Sequence, residues 1–85
     1  MSKIPVTVWS TPNCVQCMMT KREMDKRGIE YVAMDLSEHP DKLEEFKAQG
    51  LLQAPIVTTD IKVWSGFRLD KIKSLSSHLF GENHK

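Results

Sequence analysis

The chain is 85 residues long, carries a net charge of +1 and contains 40% hydrophobic and 27% charged residues. This length suits one small domain, which we assign to residues 1–85 with a core over about 4–80, and it leaves no room for a second. The near-neutral charge argues against nucleic acid or a membrane surface as the partner, and no apolar run approaches the roughly 20 residues of a transmembrane helix. Because the two cysteines come without an evident secretory signal, we expect a cytoplasmic protein, with a monomer as the simplest assembly.

Seven elements are predicted along the chain, in the order β-α-β-α-β-β-α. Strands are predicted at 4–9, 31–34, 56–59 and 62–64, and helices at 15–27, from 37–40 to Gly50, and from Asp70 up to a frayed tail at 81–85. A strand–helix–strand unit predicts a parallel pair with a right-handed crossover, and the last two strands predict a hairpin that turns at Asp60. The fold class is therefore α/β, with a four-stranded mixed sheet flanked by three helices.

The apolar positions of each predicted helix indicate which face packs against the sheet. The three inward sets are Val15, Met18 and Met19 with the stem of Arg22; Leu43, Phe46 and Ala48; and Ile72, Leu75 and Leu79. Asn13 or Thr11 is the predicted N-cap of the first helix, which Gly28 closes. Asp70 is the predicted cap of the last helix, and Trp9 is assigned to packing at the end of the first strand.

Cys14 and Cys17 form the only cysteine pair, and they directly follow the first predicted strand. At the start of a helix, residues three apart share one face, so their Cα atoms lie about 5–6 Å apart, within the range of a disulfide. A ring this short removes little chain entropy, which makes it a poor structural staple. The pair therefore indicates a disulfide that is made and broken during redox chemistry.

The two cysteines are expected to have different roles. Cys14 lies nearer the free N–H groups of the helix start, which stabilise a thiolate, and it is therefore the predicted nucleophile. Cys17, one turn further, is predicted to resolve the mixed disulfide. The alternatives are a zinc site or two inert thiols. Zinc normally takes four ligands, and the chain has no second C-x-x-C and only scattered histidines.

Further along the chain, three features bear on partner binding. Pro55 precedes the third strand, and a cis Ala54–Pro55 bond there would leave the backbone of Ala54 open to strand addition by a peptide. Trp64 and Phe67 fit two roles equally well, as core residues or as exposed docking residues. Arg68 and Asp70 either form an ion pair that holds this loop, or Asp70 only caps the last helix.

Several segments together resemble the thioredoxin fold in its short glutaredoxin-like form, and more narrowly the NrdH-type redoxins. They are Cys14-Val15-Gln16-Cys17, Thr20-Lys21-Arg22, Ala48-Gln49-Gly50, Gln53-Ala54-Pro55, and Trp64-Ser65-Gly66-Phe67-Arg68 with Asp70. The resemblance spans about residues 4–80. The cysteine pair alone is a weak signal, whereas the pair together with the Trp-Ser-Gly-Phe-Arg loop is specific.

The resemblance implies a small dithiol–disulfide oxidoreductase with no bound cofactor of its own. Thioredoxin reductase would reduce it at the expense of NADPH, and it would donate electrons to class Ib ribonucleotide reductase. It also implies that the Pro55 bond is cis and that Cys14 and Cys17 are the redox pair. The residues assigned to substrate or partner binding are Thr11, Val15, Gln16, Ala54, Pro55, Trp64, Phe67 and Arg68.

Some departures from related families bear on the substrate. Glutathione-using glutaredoxins usually show Cys-Pro-Tyr-Cys, a Thr-Val-Pro segment and a Gly-Gly pair, whereas this chain has Val15-Gln16, Gln53-Ala54-Pro55 and a single Gly66. Classical thioredoxins carry Trp-Cys-Gly-Pro-Cys and are longer by a strand and a helix. We therefore do not expect glutathione binding. A glutathione-coupled glutaredoxin, an interaction module and a metal-binding domain are kept as alternatives.

Overall fold

A computed structural model describes residues 6–60 and 62–80 as four strands and three α-helices around one sheet. The strands are β1 (Thr7–Ser10), β2 (Val32–Asp35), β3 (Ile56–Thr58) and β4 (Val63–Ser65). The helices are α1 (Val15–Lys26), α2 (Pro40–Ala48) and α3 (Leu69–Phe80), and a 3-10 turn (Leu36–Glu38) precedes α2. The predicted order β-α-β-α-β-β-α and the α/β fold class are confirmed. The predicted first two strand residues, 4 and 5, and the tail at 81–85 lie outside the described residues.

The sheet has the order β2-β1-β3-β4 and is mixed. β1 runs parallel to β2, with Trp9 opposite Met34, and antiparallel to β3, with Trp9 opposite Ile56. β3 and β4 form the predicted antiparallel hairpin. The backbone N–H of Thr59 donates to the carbonyl of Lys62 at 2.8 Å and helps to close its turn. These connections place the end of β1, and with it the cysteine segment, beside the start of β3.

Successive strand residues point to opposite faces, so the sheet carries a separate apolar cluster on each face. The cluster beneath α1 and α3 contains Val6, Val8, Met24, Ile29, Val57, Trp64, Ile72 and Leu75. The smaller cluster beneath α2 contains Trp9, Leu36, Phe46 and Ile56. In the smaller cluster the ring of Trp9 contacts the ring of Phe46 edge-on, so the assignment of Trp9 to packing is confirmed.

The predicted inward face of α1 is wrong. Val15 and Met18 are 69% and 61% exposed, and Met19 and Arg22 are exposed as well. The buried residues of the helix are Cys17, Thr20 and Met24. These three residues are spaced three and four apart and therefore lie on one face of the helix. Because the middle one is a threonine, a search for the most hydrophobic positions does not identify this face.

Three smaller predictions also need correction. Ala48 is exposed at the last turn of α2, whereas Phe46 is buried as predicted. The N-cap of α1 is Cys14 itself, because Asn13 adopts a left-handed conformation (φ 57°) in the preceding turn. Asp70 lies within the first turn of α3 and is not its cap. Gly28, which follows the C-cap Arg27 with φ 72°, closes α1 as predicted.

Candidate active site

The cysteine segment begins where β1 ends and α1 begins. Cys14 has extended backbone angles (φ −108°, ψ 106°), and its sulfur accepts a hydrogen bond from the backbone N–H of Cys17 at 3.1 Å. The sulfur of Cys14 thus occupies the N-cap position that serine or aspartate usually fills, where it faces otherwise unpaired N–H groups. A negative charge that forms on this sulfur is stabilised by the same N–H donor and by the helix dipole.

Cys14 and Cys17 are joined by a disulfide, and their Cα atoms lie 5.2 Å apart. The two ends of the bond differ in access. Cys14 is half-exposed, whereas Cys17 is buried and only 2% exposed. A thiolate from solution can therefore reach the sulfur of Cys14 but not that of Cys17.

The segment before β3 carries the second predicted group of site residues. The Ala54–Pro55 peptide bond is cis, as the resemblance implied, and Pro55 is buried while Ala54 is half-exposed. The carbonyl of Pro55 accepts a hydrogen bond from the backbone N–H of Gly66 at 2.8 Å. The proline segment is thereby attached to the loop that follows β4.

In that loop, Trp64–Arg68, the structure assigns different environments to Trp64 and Phe67, whose roles the sequence left open. Trp64 is 3% exposed and belongs to the core cluster under α1 and α3, so the core alternative holds and Trp64 is not an exposed docking residue. Phe67 is half-buried, packs against the same cluster and lines a shallow cavity of about 230 Å³ with Met19 and Arg22 of α1. Phe67 is thus part of the core and part of the surface beside the cysteines.

Arg68 and Asp70 form the ion pair that was one of the two alternatives for this loop. The guanidinium donates to both carboxylate oxygens of Asp70, at 3.3 and 3.2 Å, and both side chains are exposed. The hydrogen bond from Arg68 is the main reason that the pKa of Asp70 is lowered from its ordinary value. Because both side chains are exposed, the pair contributes little to the stability of the fold.

The predicted binding residues are thus only partly brought together. Gln16 and Phe67 are in direct contact, since the side-chain carbonyl of Gln16 accepts a hydrogen bond from the backbone N–H of Phe67 at 2.9 Å. Thr11 is half-exposed in the turn before the cysteines, and Val15 is exposed on the first turn of α1. No cluster of three or more His, Cys, Asp or Glu side chains suited to a metal ion occurs within 6–60 and 62–80.

Sequence reasoning missed three residues of this surface. Met18 and Met19 were placed in the core, but both are exposed on the helix that carries the disulfide. Gln53 was quoted only as part of a motif, yet its side-chain oxygen lies close to Gly66. The spacing of three residues from Gln16, a predicted binding residue, to Met19 was the available signal for Met19, because it places the two on one side of α1. No such pattern indicates Met18 or Gln53.

The described helices include none that is long and apolar enough to cross a membrane. The glutaredoxin family model matches residues 6–64. The glutaredoxin-like protein NrdH of Salmonella typhimurium is 41% identical over 70 residues, which cover 82% of this chain and 86% of that protein. NrdH of Lactococcus lactis is 34% identical over 71 residues, covering 84% of this chain and 99% of the relative.

Among solved structures, NrdH-redoxin from Escherichia coli aligns with a TM-score of 0.79 and 38% sequence identity. The alignment covers 82% of this chain and 92% of that one. The shared fold, the family match and the disulfide at the start of α1 agree with one another. The chain therefore belongs to the glutaredoxin family, and within it to the NrdH-type glutaredoxin-like redoxins.

Proposed function

We propose that this redoxin is a cytoplasmic dithiol–disulfide oxidoreductase that thioredoxin reductase reduces and that donates electrons to class Ib ribonucleotide reductase. It holds no bound cofactor and uses NADPH only through the reductase. The observation that supports this proposal best is the disulfide at the start of α1, with Cys14 half-exposed and Cys17 buried. A disulfide with one accessible sulfur suits exchange with another protein.

The proposed reaction moves two electrons to the target disulfide in two exchange steps. The Cys14 thiolate attacks one target sulfur, forms a mixed disulfide with it and releases the other target sulfur as a thiolate. Cys17, after losing its proton, then attacks the sulfur of Cys14 and releases the second target thiolate. The protein is left with the Cys14–Cys17 disulfide, and the target, after proton uptake, with two thiols.

The surface around the disulfide supports a protein partner. Val15 and Met18 are large apolar side chains that are 69% and 61% exposed. Apolar side chains exposed near a reactive group are typical of a docking surface, since contact with a partner buries them. Val15 and Met18 lie within four residues of Cys14, so contact there would bring the partner to the accessible sulfur.

The choice of reductase rests on the relatives. The Escherichia coli NrdH-redoxin structure is described as the basis of a thioredoxin-like activity profile. In this chain, the residues that usually mark glutathione-using glutaredoxins are replaced, as the C-V-Q-C sequence shows. Both observations favour thioredoxin reductase over glutathione as the electron source.

The test is to offer the oxidised protein two electron sources and to follow the oxidation of NADPH. One reaction contains thioredoxin reductase, and the other contains glutathione with glutathione reductase. We expect rapid turnover with thioredoxin reductase and little turnover with glutathione, and Cys14→Ser provides the inactive control. Turnover with glutathione alone would instead favour a glutathione-dependent glutaredoxin.

The acceptor is tested by coupling the thioredoxin reductase reaction to class Ib ribonucleotide reductase without any added small thiol. Formation of deoxyribonucleotide should require both cysteines of the redoxin. If a variant without either thiol still supported the reaction, the protein would act as an interaction module. A zinc-binding domain would instead lose its fold in a strong chelator, which a circular dichroism spectrum would show.

A further inference from the structure

One hydrogen bond connects the cysteine segment directly to the loop after β4. Gln16 lies between the two cysteines, and its side-chain carbonyl accepts from the backbone N–H of Phe67 at 2.9 Å, across 51 positions of sequence. The two segments belong to different parts of the chain, and the hydrogen bond places the backbone of Phe67 next to the residue between the two cysteines. Gln16 is exposed, so burial of its side chain does not explain this contact.

Gly66 is the point at which a third segment joins them. Its φ of +83° is the left-handed conformation that favours glycine, and its N–H donates to the carbonyl of Pro55. A Cβ atom at this position would lie 3.2 Å from the side-chain oxygen of Gln53 and 3.5 Å from that of Gln16. The glycine therefore allows the cysteine, proline and loop segments to converge.

We propose that Gln16 is a positioning residue that holds the Gly66–Phe67 backbone at a fixed distance from the disulfide. The inference deepens the proposed dithiol exchange and rests on it. A protein substrate bound at Cys14 is large enough to contact the neighbouring loop as well as the cysteine segment, so the position of the loop affects how well the substrate is held at the sulfur. A small disulfide reaches the sulfur without contacting the loop.

This role makes a prediction that differs from that of a simple stabilising contact. If the bond only stabilised the fold, its loss would lower the melting temperature and would affect reactions with large and small disulfides alike. A positioning role instead predicts a selective loss with protein disulfides. The ratio of the two rates is the informative quantity, because any change in the reactivity of Cys14 itself affects both.

The variants are Gln16→Leu, which removes the acceptor, and Gln16→Glu, which keeps an acceptor oxygen at the same reach. Gln49→Leu is the matched control, because Gln49 is an exposed glutamine at the C-cap of α2, under the opposite face of the sheet. We expect amide hydrogen exchange at Phe67, measured by NMR, to rise about tenfold in Gln16→Leu alone, as loss of one ordinary hydrogen bond implies. Unchanged exchange at Phe67 in that variant would overturn the proposal.

The kinetic test uses the fully reduced protein, with insulin as the protein disulfide and hydroxyethyl disulfide as the small one. We expect Gln16→Leu to slow the reaction with insulin about fivefold to tenfold relative to the small disulfide, while Gln16→Glu and Gln49→Leu keep the wild-type ratio. An unchanged ratio in Gln16→Leu would overturn the positioning role. A wild-type protein that reduced neither disulfide would instead refute the proposed dithiol exchange, and the inference with it.

Discussion

The two faces of α1 differ in a way that composition does not suggest. The inner face, which packs against the sheet, consists of Cys17, Thr20 and Met24. The outer face, which is open to solvent, carries Val15, Met18 and Met19. Two of the three inner residues are small and one of these is a threonine, while all three outer residues are large and apolar.

This difference indicates that the two faces serve different ends. Exposed apolar residues on a helix contribute little to folding, and a contiguous group of them is typical of a surface that another protein covers. The two sulfurs of the disulfide are divided in the same way. Cys14 is accessible at the start of the helix, whereas Cys17 is buried on the inner face. The outer face is thus expected to control reactivity and the inner face stability.

The largest expected effect separates the two cysteines. Cys14→Ser should slow the reaction of the reduced protein with insulin by at least about a thousandfold, because a serine hydroxyl is not ionised at neutral pH. Cys17→Ser should keep the first step and accumulate a mixed disulfide through Cys14. Mass spectrometry under non-reducing conditions detects this adduct. Trapping through Cys17 in the Cys14→Ser variant would reverse the assigned roles.

The second prediction compares two methionines on opposite faces. Met24 is fully buried, so Met24→Ala should lower the free energy of unfolding by about 2–4 kcal/mol through lost burial and the cavity that remains. Met18 is 61% exposed, and Met18→Ala should change the same quantity by less than about 0.5 kcal/mol. Urea unfolding followed by circular dichroism measures both. Equal losses would contradict the division between the two faces.

The sequence predicted the element order, the hairpin and the cysteine pair because these depend on local signals. Turn residues and short β-branched runs mark the strands, and Gly28 marks the end of α1. The rotation of α1 depends instead on where its first residue lies relative to the sheet. α1 starts at Val15, as predicted, yet the face toward the sheet is the one that contains Cys17, Thr20 and Met24, and no local pattern in the helix specifies this orientation.

The candidate site was predictable in part for the same reason. Cys14 and Cys17 are three apart, a distance within one helical turn, and local geometry alone brings them together. Trp64 and Phe67 have the same kind of side chain, and only the pairing of β4 with β3 decides that the first points into the core and the second lies at the edge. The contact from Gln16 to Phe67 spans 51 positions, so no local pattern contains it.

The third prediction concerns the polar member of the inner face. Thr20 is fully buried, and its hydroxyl has no hydrogen-bond partner within 6–60 and 62–80. Thr20→Val replaces this hydroxyl with a methyl group of similar size and should raise the free energy of unfolding by about 1 kcal/mol. The matched control is Thr58→Val, because the hydroxyl of Thr58 accepts from the indole N–H of Trp9. That change should lower stability by about 1 kcal/mol.

The smallest effect is expected at the exposed Arg68–Asp70 pair. Arg68→Gln should raise the pKa of Asp70 toward its ordinary value, because the main cause of the lowered pKa is the hydrogen bond from Arg68. A carboxyl whose pKa is lowered in the folded protein adds stability above its unfolded pKa and loses it as the pH falls through the folded one. Both side chains are exposed, so the change in melting temperature should be negligible at neutral pH.

An NMR titration of the side-chain carboxyl groups measures this shift and contains its own control. The pKa of Asp35 is also lowered, but chiefly by hydrogen bonds from the hydroxyl and the backbone N–H of Ser37. Its titration should therefore be the same in wild type and Arg68→Gln. A parallel shift of both aspartates would indicate a general loss of structure, whereas a shift of Asp70 alone would show that the pair acts locally.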